Sequence, residues 1–237
     1  IIGAGPSGIA QLRAFESAER NGENIPEIVC YEKQEDWGGL WNYTWRTGTD
    51  EFGEPVHASM YRYLWSNGPK ECLEFADYTF EEHFGKPIAS YPPRAVMLDY
   101  IQGRLKKSNF RDKIKFNTSV VSAILLEDES WQISTSDGVT NIYDNLVVAN
   151  GHHWDPRYPN PDFKGKFSGE TLHSHHYLEP HDPVDCVGKN IVIVGAGNSA
   201  MDIACELSRK NTANKVFLAV RSPVWITPKY FGSTPLD

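Results

Sequence analysis

Ile191-Val192-Ile193-Val194-Gly195-Ala196-Gly197-Asn198-Ser199-Ala200 is an apolar strand pattern running into a glycine turn, and it repeats in altered form the opening Ile1-Ile2-Gly3-Ala4-Gly5-Pro6-Ser7-Gly8. Gly195 stands 192 residues after Gly3, too far apart for a solenoid repeat, so the pair marks two domains. After the first copy Ile9, Leu12, Phe15 and Ala18 fall at helical spacing and Gly22 offers a stop; after the second, Ala200, Ile203, Ala204 and Leu207 do the same. Each helix leads to another strand pattern, Ile28-Val29-Cys30-Tyr31 and Val216-Phe217-Leu218-Ala219-Val220. These are two β-α-β openings, and the fold class they imply is α/β, with two Rossmann-like dinucleotide-binding domains.

Between the two copies, Pro92-Pro93 open a predicted helix that runs to about Lys107, with Lys106 and Lys107 at the negative end of its dipole. Residues 114–126, 131–135 and 140–143 alternate as strands separated by polar turns and read as a small antiparallel meander. Residues 146–149 form a predicted buried strand, and the Pro-rich run 156–161 reads as a linker. The first domain is thus expected over 1–152 and the second over 153–237. Ile1-Ile2 is short for a buried strand, and the second unit stops before its later strands. The chain therefore reads as a fragment with an incomplete second domain, inactive by itself.

With 237 residues, 40% hydrophobic and 23% charged, the composition is that of an ordinary globular protein. A formal net charge of −8 argues against a nonspecific nucleic-acid binder and against a polybasic membrane surface. No stretch approaches the roughly 18 to 20 apolar residues of a membrane span. Cys30, Cys72, Cys186 and Cys205 form no CxxC pair, which fits free thiols in a reducing cytoplasm.

In the first turn Gly3 permits the tight bend, Gly5 lets backbone approach a pyrophosphate, and Gly8 allows close helix packing. At the end of the next strand Glu32 can accept hydrogen bonds from a ribose diol and would repel a 2′-phosphate, favouring FAD or NAD. In the second turn that acidic residue is absent and Arg221 follows the strand, so NADP is preferred there. Ala200 replaces the third glycine, and Asn198 and Ser199 can donate to phosphates. Read alone, Asn67 in Ser66-Asn67-Gly68-Pro69 is a turn former. His173, His175, His176 and His181 lack the carboxylate or cysteine spacing of a metal site, and no metal is expected.

Phe167-Ser168-Gly169-Glu170-Thr171-Leu172-His173-Ser174-His175-His176-Tyr177 resembles the FxGxxxHxxxY fingerprint of the flavin-containing monooxygenases, a likeness that extends over the whole chain. The blocks 41–48, 60–71 and 84–94 are similar to the bacterial branch that oxidises trimethylamine. Asn198 departs from that branch, which often carries an aromatic residue there. The resemblance implies an FAD enzyme reduced by NADPH that forms a C4a-hydroperoxyflavin with O2 and oxygenates a soft nucleophile. N-oxidation of a small tertiary amine such as trimethylamine, or S-oxidation, is the expected reaction; Baeyer–Villiger oxygenation of ketones is the alternative, disfavoured because those enzymes usually show Trp at Tyr177.

The resemblance also implies site residues. Gly3, Gly5, Pro6, Ser7 and Gly8 would hold the FAD pyrophosphate, Glu32 and Gln34 the adenosine ribose, and Val120 the adenine. Gly39, Leu40, Trp41 and His57 would line the flavin side. Trp65 and Asn67 would lie where nicotinamide meets flavin, Asn67 being the catalytic amide; Gly195, Gly197, Asn198, Ser199 and Arg221 would take NADP. A homodimer is implied, with no nucleic-acid or membrane partner.

Overall fold

Ile2 is the seam of the first unit: in the computed structural model it bridges Tyr31 on one side and Val148 on the other, both in parallel. The structure describes residues 1–50, 53–56, 59–160 and 163–236. In chain order the helices are α1 (Pro6–Arg20), α2 (Lys70–Leu73), α3 (Phe80–Phe84), α4 (Arg94–Leu105) and α5 (Asn198–Leu207). The strands are β1 (Cys30–Tyr31), β2 (Ile114–Lys115), β3 (Val120–Leu125), β4 (Trp131–Thr135), β5 (Thr140–Tyr143), β6 (Asn190–Val194), β7 (Lys215–Ala219), β8 (Tyr230–Phe231) and β9 (Thr234–Pro235). The chain is α/β and divides into two compact units, Ile1–Asn42 with Ala95–His152, and Tyr43–Arg94 with His153–Asp237.

In the first unit β1 pairs in parallel with β2, and Ile2 extends that ladder toward Val148 through Ile2 N–H to Val147 O at 2.9 Å and Ala149 N–H to Ile2 O at 2.8 Å. α1 follows from Pro6 at its first position and the apolar stripe Ile9, Leu12, with Gly8 buried as well. Glu16 breaks the stripe yet is 2% exposed, because Arg20 Nη2 at 2.9 Å, the Asn109 amide at 2.9 Å and the Ser108 hydroxyl at 3.3 Å satisfy it. β3, β4 and β5 form the antiparallel meander.

Three element expectations are revised. The strand expected over 114–126 is two strands in two sheets, because Asn117 takes a positive φ of 52° and turns the chain between them. The strand expected over 28–31 is regular only at Cys30–Tyr31. Residues 146–149 contribute a single bridge rather than a buried strand, because only Ile2 pairs with them among the described residues, and Val148 is 63% exposed.

In the second unit β6 and β7 pair in parallel around α5, a β-α-β element. Its core joins Tyr61, Tyr177, Cys186, Ile203 and Leu207, with Leu64, Ile191, Ile193, Ala213 and Val216 packed against it. Tyr61 and Leu64 belong to the segment 43–94, which the sequence reading placed with the first domain by chain order. That segment sides with the second unit, where the Arg62 amide also bonds Leu178 O at 2.9 Å. The remaining division falls between His152 and His153. Among the described residues no helix is long and apolar enough to cross a membrane, and all four cysteines are free thiols.

Candidate functional site

In the first unit the backbone is brought unusually close to itself. Gly5 caps the N-terminus of α1 without help from a side chain, and Pro6 at the first position has no N–H. Ile9 N–H already reaches Gly5 O at 2.9 Å, so the outward donors of this turn are the amides of Ser7, which is exposed, and Gly8. A Cβ on Gly8 would collide with the Gly3 carbonyl oxygen. Gly38 and Gly39 close over the turn from the other side: Gly38 N–H donates to Ala4 O at 3.0 Å, and a Cβ on Gly39, at φ +58°, would sit 2.8 Å from Gly5 Cα. Two glycine turns back to back leave a cradle of bare backbone amides at the positive end of a helix dipole, a site suited to a diphosphate.

Glu32 follows β1 directly, 5% exposed. Its Oε2 accepts from the Ala4 amide at 2.7 Å and its Oε1 from the Gln34 amide at 2.9 Å. Burial pushes the carboxyl above the ordinary glutamate range, and those two amides pull it part of the way back. Each oxygen keeps a second lone pair, which is what a ribose diol needs. Gln34 Oε1 accepts from Asn42 Nδ2 at 3.1 Å, and its carbonyl accepts from the Asn117 amide at 3.0 Å. Leu40 and Trp41 continue the Gly39 turn half-buried, and Val120 starts β3 two residues after Thr118, whose amide bonds Glu32 O at 2.9 Å. Gly3, Gly5, Pro6, Ser7, Gly8, Glu32, Gln34, Gly39, Leu40, Trp41 and Val120 all belong to this one unit. Gly38 was missed by the sequence reading, although the pair Gly38-Gly39 before Leu40-Trp41 is visible there.

The second turn has the same form and looser surroundings. Gly195 N–H donates to Ala219 O at 3.0 Å, and Gly197 caps α5, again with no side-chain cap. A Cβ on either glycine would meet nothing within 4 Å, so open space and not packing occupies the position in front of the helix. Asn198 and Ser199 are exposed in its first turn. Arg221 lies two residues beyond Ala219, exposed, and its side chain makes no hydrogen bond or ion pair among the described residues.

α5 is tied down by two tyrosines that sequence reasoning did not single out. Tyr61 donates to Asp202 Oδ2 at 2.5 Å and Tyr177 to Glu206 Oε2 at 2.8 Å. Burial and the carboxylate partners raise both phenols, and burial raises Glu206. The available signal was Asp202 and Glu206 at i, i+4 on an amphipathic helix. In the fingerprint, His173 Nδ1 accepts from the His175 amide at 3.1 Å, leaving Nε2–H to donate to Arg157 O at 3.2 Å.

Trp65 and Asn67 are exposed in the second unit, Trp65 bridged to Pro93. Ser66 between them is buried, its amide on Pro92 O at 2.8 Å and its hydroxyl on Gly68 O at 2.6 Å. His57 lies outside the described residues. No group of three or more His, Cys, Asp or Glu among the described residues could hold a metal ion.

A family model described as flavin-binding monooxygenase-like matches residues 1–234. The trimethylamine monooxygenase of Methylocella silvestris is 52% identical over 100% of this chain and 53% of its own length. The crystal structure of Tmm from Pelagibacter sp. strain HTCC7211 matches with a TM-score of 0.85 at 49% identity, covering 94% of this chain and 50% of that one. The structure of S-allyl-L-cysteine S-oxygenase from Allium sativum matches with a TM-score of 0.77 at 28% identity, covering 98% and 53%. The chain thus spans about half the length of these relatives.

Proposed function

The chain belongs to the flavin-binding monooxygenase-like family, and from that premise we propose that the full-length protein, with FAD and NADPH as its cofactors, converts a small tertiary amine, foremost trimethylamine, to its N-oxide. The overall balance is NADPH, H+, O2 and amine giving NADP+, water and amine N-oxide. The observation that carries this reading is a pair of helix N-termini without side-chain caps on separate glycine turns, one followed by a buried carboxylate and the other by an arginine that has no partner among the described residues. A carboxylate suits a free ribose and a guanidinium suits a 2′-phosphate.

The residues fit both nucleotides. Gly3, Gly5, Ser7 and Gly8 would hold the FAD diphosphate, Glu32 and Gln34 its ribose, and Val120 its adenine. Gly39, Leu40, Trp41 and His57 would wall the flavin. Gly195, Gly197, Asn198, Ser199 and Arg221 would hold NADPH, with Trp65 and Asn67 at the nicotinamide. When bound, FAD reduced by NADPH activates dioxygen and passes one oxygen atom to a soft nucleophile. The chain's own work is to orient the two rings and exclude water. Asn67 supplies a neutral amide, donor and acceptor at once, with no side-chain bond of its own among the described residues.

Replacing Asn67 with Asp at nearly constant size introduces a charge that repels a developing negative oxygen. NADPH oxidation should continue while amine product falls at least tenfold and H2O2 accounts for the difference; unchanged coupling would remove Asn67 from the role. The likeness to the garlic S-oxygenase supports a second reading, sulfoxidation. Trimethylamine, methyl sulfides and cyclohexanone, assayed with NADPH and product mass spectrometry, separate amine, sulfide and Baeyer–Villiger chemistry. Absence of bound flavin and of any oxygenated product would overturn the proposal. The four free thiols suit a cytoplasmic setting, and a homodimer, implied by the resemblance, is checked by light scattering.

A further inference from the structure

The turn carrying Asn67 is gripped from a point 163 residues along the chain. Ser66 is 2% exposed, and two of its polar groups are held locally, its amide by Pro92 O and its hydroxyl by Gly68 O. The third, its carbonyl oxygen, accepts from the Lys229 ammonium at 3.0 Å. Lys229 is held in turn. Its Nζ lies 4.7 Å from the centroid of the Tyr91 ring, which is 4% exposed. The Tyr91 hydroxyl is 2.8 Å from Lys229 O and 2.9 Å from Leu236 O, and donates to one of them at a time. The Leu236 amide bonds Lys229 O at 2.9 Å, and Tyr230 packs edge-on against Tyr91 with centroids 5.2 Å apart.

The Ser66 carbonyl and the Asn67 N–H belong to one planar peptide group. Because the Asn67 side chain has no hydrogen bond among the described residues, the only fixed part of its placement is the Cα–Cβ bond, which its backbone sets, and Lys229 holds the plane from which that backbone departs. We propose that Lys229 is a positioning residue for Asn67, an inference that rests on Asn67 as the catalytic amide. Lysine reaches this carbonyl as a point charge on a flexible stem, and the Tyr91 ring supplies the rigidity that the stem lacks.

The test uses the full-length, FAD-loaded protein in four forms: Lys229→Met, Lys229→Arg, Tyr91→Phe and Asn67→Asp. Lys229→Met is expected to raise the share of NADPH ending as H2O2 by roughly fivefold, the scale of the net contribution of one hydrogen bond. Flavin content and the KM for NADPH should stay unchanged, and Lys229→Arg, which keeps a charged donor, should restore most of the coupling. Tyr91→Phe keeps the ring and loses the hydroxyl, so it should fall between. In cofactor-free protein, deuterium uptake of peptide 66–70 should quicken in Lys229→Met and not in Lys229→Arg. Normal coupling in Lys229→Met beside uncoupling in Asn67→Asp overturns the role of Lys229 and leaves that of Asn67 standing. Normal coupling in Asn67→Asp overturns the Asn67 reading, and this inference with it. Arginine no better than methionine, or exchange at 66–70 unchanged by methionine, also overturns it.

Discussion

Gly39 and Arg221 illustrate two ways a residue can matter. Gly39 is constrained by backbone: φ of +58° and a Cβ position 2.8 Å from Gly5 Cα mean that alanine must displace one of two turns. Gly39→Ala should cost about 1 to 3 kcal/mol of stability, and the purified full-length variant should show a reduced ratio of flavin to protein absorbance. Arg221 makes no hydrogen bond or ion pair among the described residues, which leaves it available to the phosphorylated nucleotide proposed for it. Arg221→Gln should raise the KM for NADPH by roughly ten- to hundredfold and leave that for NADH almost unchanged; equal effects on both would show that it does not read the 2′-phosphate. Glu32 and Arg221 could be singled out in sequence because each follows the strand that comes after a glycine turn. Tyr61 was not, since its partner Asp202 lies 141 residues away and only folding brings them together.

α1, α4 and α5 were legible to within a turn, because signals such as Pro6, the stripe Ile9 and Leu12, and the stop at Asn21 and Gly22 act locally, whereas the short α2 and α3 were not read. The meander strands 131–135 and 140–143 were read to the residue, whereas 28–31, 114–126 and 146–149 were read too long. A strand's length depends on how far its neighbours pair with it, and the apolar runs 28–31 and 146–149 extend beyond the bonds that Ile2 can offer. α5 also carries a pH dependence that no spacing rule announces. Glu206 is held protonated more tightly in the folded chain than in the unfolded one, chiefly by burial, with Glu179 and Asp202 adding to the effect and Tyr177 and Arg209 opposing it. Its contribution to stability is therefore present at acid pH and declines as pH rises through and above the ordinary glutamate range. Glu206→Gln keeps an acceptor for Tyr177 and removes the titration, so its melting temperature should fall less with rising pH than the parent's, a comparison read by thermal melts across pH 4 to 8, roughly that range and above.

On the scale of the whole molecule, the two nucleotide turns belong to different compact units, so lesions in them should be separable. FAD at about a hundred times its Kd should stabilise the full-length apoprotein by about 2.7 kcal/mol, and 2′,5′-ADP, which carries only the phosphorylated ribose and adenine, should add its own increment. Gly39→Ala should lose the first thermal shift and keep the second; Arg221→Gln should do the reverse. Loss of both shifts in either variant would count against separate sites. The amino-acid order by itself determined the α/β class, the two glycine turns and the family, because those signals are short-range and each rests on a few residues at close spacing. Only the tertiary structure decided that 43–94 joins the second unit, that Gly38 and Gly39 close over Gly5, and that Lys229 grips Ser66. Those contacts join residues dozens to more than a hundred positions apart, and no local pattern records which distant backbone a side chain or a glycine will meet once the core has packed.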